Sequence, residues 1–229
     1  MNWLFWVVVV FIAYHVIDGL RRGFIRKAVS AVSLIVTLVL VTYLTPQITN
    51  FIQEKTSLHE NLQQKCSEMF LNNEYNENVK TDQVLMIENM DLPENIKEML
   101  LENNNTESYD VLKVSGFHDY VGAYLAKLII NALAFLLSFV IVWTAIRAIL
   151  IAMDVVTKLP ILHGINKLLG GGLGLVYGVV LVWIVFLLVT ILCNGELGRR
   201  FFALISDNSF LLFLYNQNVI MKIVFGLMF

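Results

Sequence analysis

The side chains able to act as ligands, nucleophiles or proton carriers are few in this chain of 229 residues, and they stand apart. The four histidines, His15, His59, His118 and His163, occur singly; Cys66 and Cys193 have neither a CxxC partner nor a histidine nearby. Metal sites need ligands at short, regular spacing, so neither a metal nor any other cofactor is expected. His15 has only Asp18 as a ligand-type neighbour at helical spacing and reads as an interfacial side chain. No Ser/His/Asp or Cys/His constellation, HExxH, Walker A loop or GxGxxG motif after a strand is present, so the chain does not read as an enzyme. The acids lack EF-hand spacing and read as a solvated face. The two cysteines read as separate thiols, although topology would place both on the same side of a membrane.

The spacing that does stand out belongs to residues without side chains. Gly170, Gly174 and Gly178 are four apart, so on a helix they form a stripe where a neighbouring backbone can approach closely. Packing between helices of one subunit is the first reading of this stripe. A seam between subunits or the lining of a pore is the second.

A membrane environment follows from composition. The chain is 58% hydrophobic and 15% charged, with a mean hydropathy of +0.71, too apolar for an ordinary soluble domain. Residues 1–17 carry no charge and include Trp3, Trp6 and Tyr14, so they are read as a first span retained in the protein and not as a cleaved signal. A loop of residues 18–27 follows, holding Arg21, Arg22, Arg26 and Lys27 against one acid, Asp18. The positive-inside rule makes this loop cytoplasmic and the amino terminus external. These cations could also hold lipid phosphates or a cytoplasmic partner. Gly19 and Gly23 permit a tight reversal into a second span, residues 28–44, expected to end at Thr45-Pro46. Ser30, Ser33 and Thr37 share one face of that span and are suited to helix packing.

Residues 46–119 hold 14 of the 18 acids against five of the 16 basic residues. This insert is placed outside the cytoplasm and read as helical pieces: one over 50–71 and one opening at Asp91-Leu92-Pro93-Glu94 and breaking at Asn103-Asn104-Asn105-Thr106. Residues 128–146 form a third span; Arg147, Lys158 and Lys167 against Asp154 return the next loop to the cytoplasm. Residues 168–195 form the fourth span, ending near Cys193, with local unwinding conceivable at Gly170-Gly171-Gly172. The tail, residues 196–229, contains apolar stretches too short to span, suited to lie at the interface or dock on the bundle.

The expected fold is therefore an all-α polytopic membrane protein, with four transmembrane helices and an acidic helical extracytoplasmic insert. Its parts are a first transmembrane hairpin (1–45), the insert (46–119), a second hairpin with the glycine motif (120–195) and an amphipathic tail (196–229). Both termini lie outside.

Two motifs carry a family resemblance. Arg22-Gly23-Phe24-Ile25-Arg26 opens the second span, and Asn166-Lys167-Leu168-Leu169-Gly170, followed by Gly174 and Gly178, opens the fourth. In this order within four spans they resemble the bacterial colicin V production protein family, and the tail from Ser206 to Asn218 is similar to its Gram-positive members. Family members often have an aspartate near the amino terminus, where this chain has Asn2-Trp3; a glutamate where it has Lys27; a basic residue where it has Tyr177; and arginine where it has Lys167. These departures count against a charge network joining the two loops. The resemblance implies a bacterial cytoplasmic-membrane protein linked to toxin production or export.

Two functions of different kinds follow. In one, subunits assemble through the glycine stripe and the bundle conducts solute or ions; without ionisable residues deep in a span, a passive channel fits better than a pump. In the other, the spans are a scaffold whose insert binds an extracytoplasmic protein or peptide. The expected partners are thus the lipid bilayer, further copies of the chain and an extracytoplasmic protein or peptide, with no nucleic acid.

Overall fold

The computed structural model describes residues 2–69, 79–152, 165–192 and 195–226. Helices account for all of its regular structure: α1 (Trp3–Arg22), α2 (Phe24–Lys55), α3 (Leu58–Met69), α4 (Lys80–Glu88), α5 (Glu94–Glu102), α6 (Thr106–Leu112), α7 (Phe117–Ala152), α8 (Ile165–Ile191), α9 (Glu196–Ser206), α10 (Ser209–Asn216) and α11 (Val219–Gly226). The expected loop at His163, Lys158 and Asp154 and the thiol of Cys193 lie outside the described residues; Cys66 is buried in α3.

Among the described residues, five stretches are long and apolar enough to cross a membrane: α1, α2, α7, α8 and Ser209–Gly226. The first four are unbroken helices and correspond to the four expected spans. The fifth, in the tail, is interrupted at Gln217 and Asn218. Each of its two pieces has eight residues, a length that reaches only about 12 Å as a straight helix.

Two boundaries differ from expectation. α2 does not stop at Pro46 but continues to Lys55. Proline removes one backbone donor and can be accommodated when its ring points outward, as here. Thr45 Oγ1 donates to the Val41 carbonyl at 2.7 Å. The piece expected over 50–71 is thus split, its first turns belonging to α2 and Leu58–Met69 to α3 after a break at Thr56 and Ser57. Likewise α7 begins at Phe117, well before the apolar run. Its first turns are encased by the insert: Tyr120 and Tyr124 are fully buried, Tyr109 stacks on Tyr120, and Tyr120 donates its hydroxyl proton to the Leu100 carbonyl at 2.8 Å.

The insert is organised around that column. Met86, Ile87, Met90, Leu92, Ile96 and Leu100 are buried in one core with Phe117 and Tyr120. α5 opens after Pro93 and ends at Asn103, as the sequence indicates. The tail docks on α8. Trp183 Nε1 donates to the Leu214 carbonyl at 2.9 Å, Asn218 Nδ2 donates to the Trp183 carbonyl at 2.9 Å, and the Thr190 and Tyr215 hydroxyls share a 2.9 Å bond.

Consecutive spans are not the closest neighbours. α1 lies chiefly against α8, and α2 chiefly against α7. Gly23 causes the divergence. At φ 77° and ψ 168° it occupies a region open almost only to glycine, and this single residue separates α1 from α2. The closest packing is therefore in two antiparallel seams, α1 with α8 and α2 with α7.

Candidate functional site

The α1–α8 seam joins both sequence motifs. Along it Gly170 faces Gly19, Gly174 faces His15, and Gly178 faces Ile12 and His15. A Cβ on Gly19 would overlap the Gly170 carbonyl oxygen, and one on Gly174 would overlap that of His15. A Cβ on Gly178 would stand 3.2 Å from the His15 Cβ. Backbone thus meets backbone, the arrangement small residues permit between membrane helices. The partner that fills the stripe is a helix of the same chain. Gly170-Gly171-Gly172 is helical throughout, with Gly172 on the outside facing open space.

At the Gly23 end of the seam, the first motif meets the second directly. A Cβ on Gly23 would overlap the side-chain amide of Asn166. One helical turn away sits an ionic cluster. Asp18 accepts from Arg22 Nε at 2.6 Å and from Lys27 Nζ at 3.2 Å. Lys27 is 2% exposed, and its ammonium also lies 4.7 Å from the centre of the Tyr177 ring. The other edge of the cluster is His15, whose ring is 5.3 Å from that of Tyr177.

The two motifs therefore meet through an aromatic face and not through a charge pair: every charge in the cluster comes from residues 18–27, and α8 contributes the Tyr177 ring. The cluster is built from one carboxylate, two cations and an aromatic face in place of a simple acid–base pair. A buried ammonium requires a counter-charge or an electron-rich face, and Lys27 has both. Of the other basic residues, Arg21 is exposed and Arg26 half-buried, and Lys167 is exposed on α8 away from this cluster. No group of three or more potential metal ligands occurs among the described residues.

The expected hydroxyl face of α2 packs at Thr37, which is fully buried, while its hydrogen bonds stay local. Ser33 donates to the Ser30 carbonyl, and Thr37 to that of Ser33, so these hydroxyls bond within their own helix. The polar contact that does cross between α2 and α7 went unread in the sequence: Thr49 Oγ1 donates to Asn131 Oδ1 at 2.9 Å. Asn131 is the one amide in an otherwise apolar run, which was its available signal.

The seam's second helix decides the comparison with known proteins. Residues 112–205 match the family described as Colicin V production protein. The matched segment of this colicin V production family contains α7, α8 and nearly all of α9, and with them Asn166, Gly170, Gly174 and Gly178. Arg22 and Gly23 lie outside it, yet Gly23 packs on its Asn166 and Gly170. No curated protein and no solved structure matches the chain.

Proposed function

We propose that this chain is a multi-pass protein of the bacterial cytoplasmic membrane that supports toxin production or export. In this reading it acts as a scaffold, holding a folded acidic platform outside the cytoplasm for a basic segment of a partner protein or peptide. The observation that carries the reading is how the insert is attached. Its apolar side is sealed against α7, its Asn95 donates to Met221 Sδ of α11, and its Asp91 pairs with Arg199 of α9 at 3.7 Å. Glu88, Glu94, Glu98, Glu102, Glu107 and Asp110 remain exposed. A platform fixed in this way presents its charge in one orientation, which favours a cationic partner.

The topology supporting this reading follows from the basic end of the bundle. Arg21, Arg22, Arg26 and Lys167 gather where Gly23 meets Asn166, while the tail and insert lie at the opposite end. By the positive-inside rule the basic end is cytoplasmic, and both termini are outside. Self-association, where it occurs, would use exposed apolar faces such as Val32, Ile35 and Val39 of α2 with Val140 and Ile141 of α7, since α1 already fills the glycine stripe.

The test is charge reversal at Glu94, Glu98 and Glu102 together, in the full chain. Toxin output should fall to the level of a strain lacking the protein, while membrane abundance and thermal unfolding stay as in wild type. Unchanged output would overturn the scaffold reading. Ion flux through liposomes containing the wild-type protein would point instead to a channel.

A further inference from the structure

A second polar place in the membrane region lies in the other seam. Thr45, Pro46, Thr49, Asn50 and Gln53 of α2 and Lys127 and Asn131 of α7 enclose a pocket of about 230 Å³. Its rear wall is buried: Thr45 is 1% exposed, Thr49 6% and Asn131 3%. Lys127 and Asn131 are four apart, so both reach the pocket from one face of α7.

The hydrogen-bond inventory of that wall is incomplete. Thr45 spends its proton on Val41, and Thr49 spends its own on Asn131 Oδ1. In this orientation the amide presents its Nδ2 buried and without a hydrogen-bond partner. A buried donor in this position carries its full desolvation cost until an acceptor reaches it. Among the described residues the lining supplies a cation in Lys127, further amide donors in Asn50 and Gln53, and no carboxylate. Such a set suits a compact anion with several acceptor oxygens. Depth narrows the choice. The pocket sits where the apolar runs of α2 and α7 give way to polar sequence, the level at which lipid phosphates lie.

We propose that this pocket binds a phosphate group, with Lys127 supplying the charge and Asn131 Nδ2 the buried donor. The phosphate belongs either to an anionic lipid headgroup or to a soluble phosphate. The site is independent of the acidic platform and of the α1–α8 cluster.

The experiment uses the purified full chain in mild detergent and native mass spectrometry with phosphatidylglycerol, diacylglycerol and inorganic phosphate as separate probes. Retention of phosphatidylglycerol but not diacylglycerol, reduced about tenfold by Lys127→Gln and by Asn131→Leu, establishes a lipid phosphate. Stabilisation against heat by inorganic phosphate, lost in the same variants and without lipid retention, establishes a soluble one. Lys127→Arg should keep binding in either case, and circular dichroism checks that each variant is folded. Should Asn131→Leu fail to fold, the half-buried Lys127→Gln decides alone. Equal retention of diacylglycerol, or binding that neither variant lowers, overturns the proposal.

Discussion

The α1–α8 and α2–α7 seams solve the same problem in opposite ways. Both pair antiparallel apolar helices, in a setting where lipid is as apolar as the helix surfaces and hydrophobic burial supplies little drive for association. α1 and α8 remove side chains along one stripe and let the backbones touch. α2 and α7 keep their side chains, leaving a polar pocket at one end and, at the other, an apolar groove of about 530 Å³ lined by Phe24, Ala28, Val32, Ile146 and Leu150 among others. Close approach gives dispersion contacts and a fixed register but tolerates no added atom. The looser seam accepts substitution and leaves room for a ligand.

The widest separation between the two should come from Gly174→Leu. Its Cβ would overlap a backbone carbonyl, which cannot swing aside as a side chain can. We expect a loss of more than about 3 kcal/mol, beyond the usual cost of overpacking, seen as a collapse of folded yield or of the melting temperature in detergent. Gly172→Leu, two residues away and facing open space, should leave stability unchanged or raise it by about 0.5–1 kcal/mol through helix propensity. Equal effects of the two substitutions would mean that α1 does not occupy the stripe. Loss of liposome flux in Gly174→Leu would consequently report unfolding as readily as a blocked pore.

Next in size is the ionic cluster that closes the tight seam. Asp18→Asn leaves the buried Lys27 ammonium with the Tyr177 ring alone, and a loss of about 3 kcal/mol is expected from stripping a buried charge of its partner. Arg22→Gln removes the more exposed partner of the same carboxylate and should cost less than about 1 kcal/mol. Melting curves of both variants give the ratio. A smaller loss for Asp18→Asn than for Arg22→Gln would place Lys27 in solvent and separate the two motifs.

How much of this was legible in the sequence depended on whether the signal was periodic or pairwise. Uncharged runs marked α1, α2, α7 and α8, and the spacing of Gly170, Gly174 and Gly178 marked the close-packed face, because both are repeats along one helix. Partners were not legible. Nothing in the spacing tells whether α1 or a second subunit fills the stripe, or that Gly23 would direct α1 away from α2. Lys27 and Tyr177 were visible only as two separate departures from a family pattern, and their meaning lies in the 4.7 Å between them. Pro46 and the polar sequence before the apolar run at 128–146 misled for a related reason. Each is a local stop signal, overridden where the Pro46 ring faces outward and where the insert buries the first turns of α7.

The smallest effect tests the α7 side of the molecule, where α3 lies along the start of that helix. His59 is half-buried, and its Nδ1 is enclosed without a hydrogen-bond partner. Burial pushes its pKa below the ordinary value and nearby Lys127 pushes it the same way, while Glu60 opposes them. The folded protein therefore binds fewer protons at this site than the unfolded chain does. The contribution of His59 to stability is fully present above about pH 6.5, the unfolded value, and is lost as pH falls through that point toward the lowered folded pKa. Between pH 8 and 5, wild type should lose more melting temperature than His59→Gln, by a margin smaller than either effect above because solvent reaches the ring. Parallel curves would show that α3 does not bury His59 against α7. A flatter curve in the variant would fix the insert to the very turns of α7 that carry Lys127.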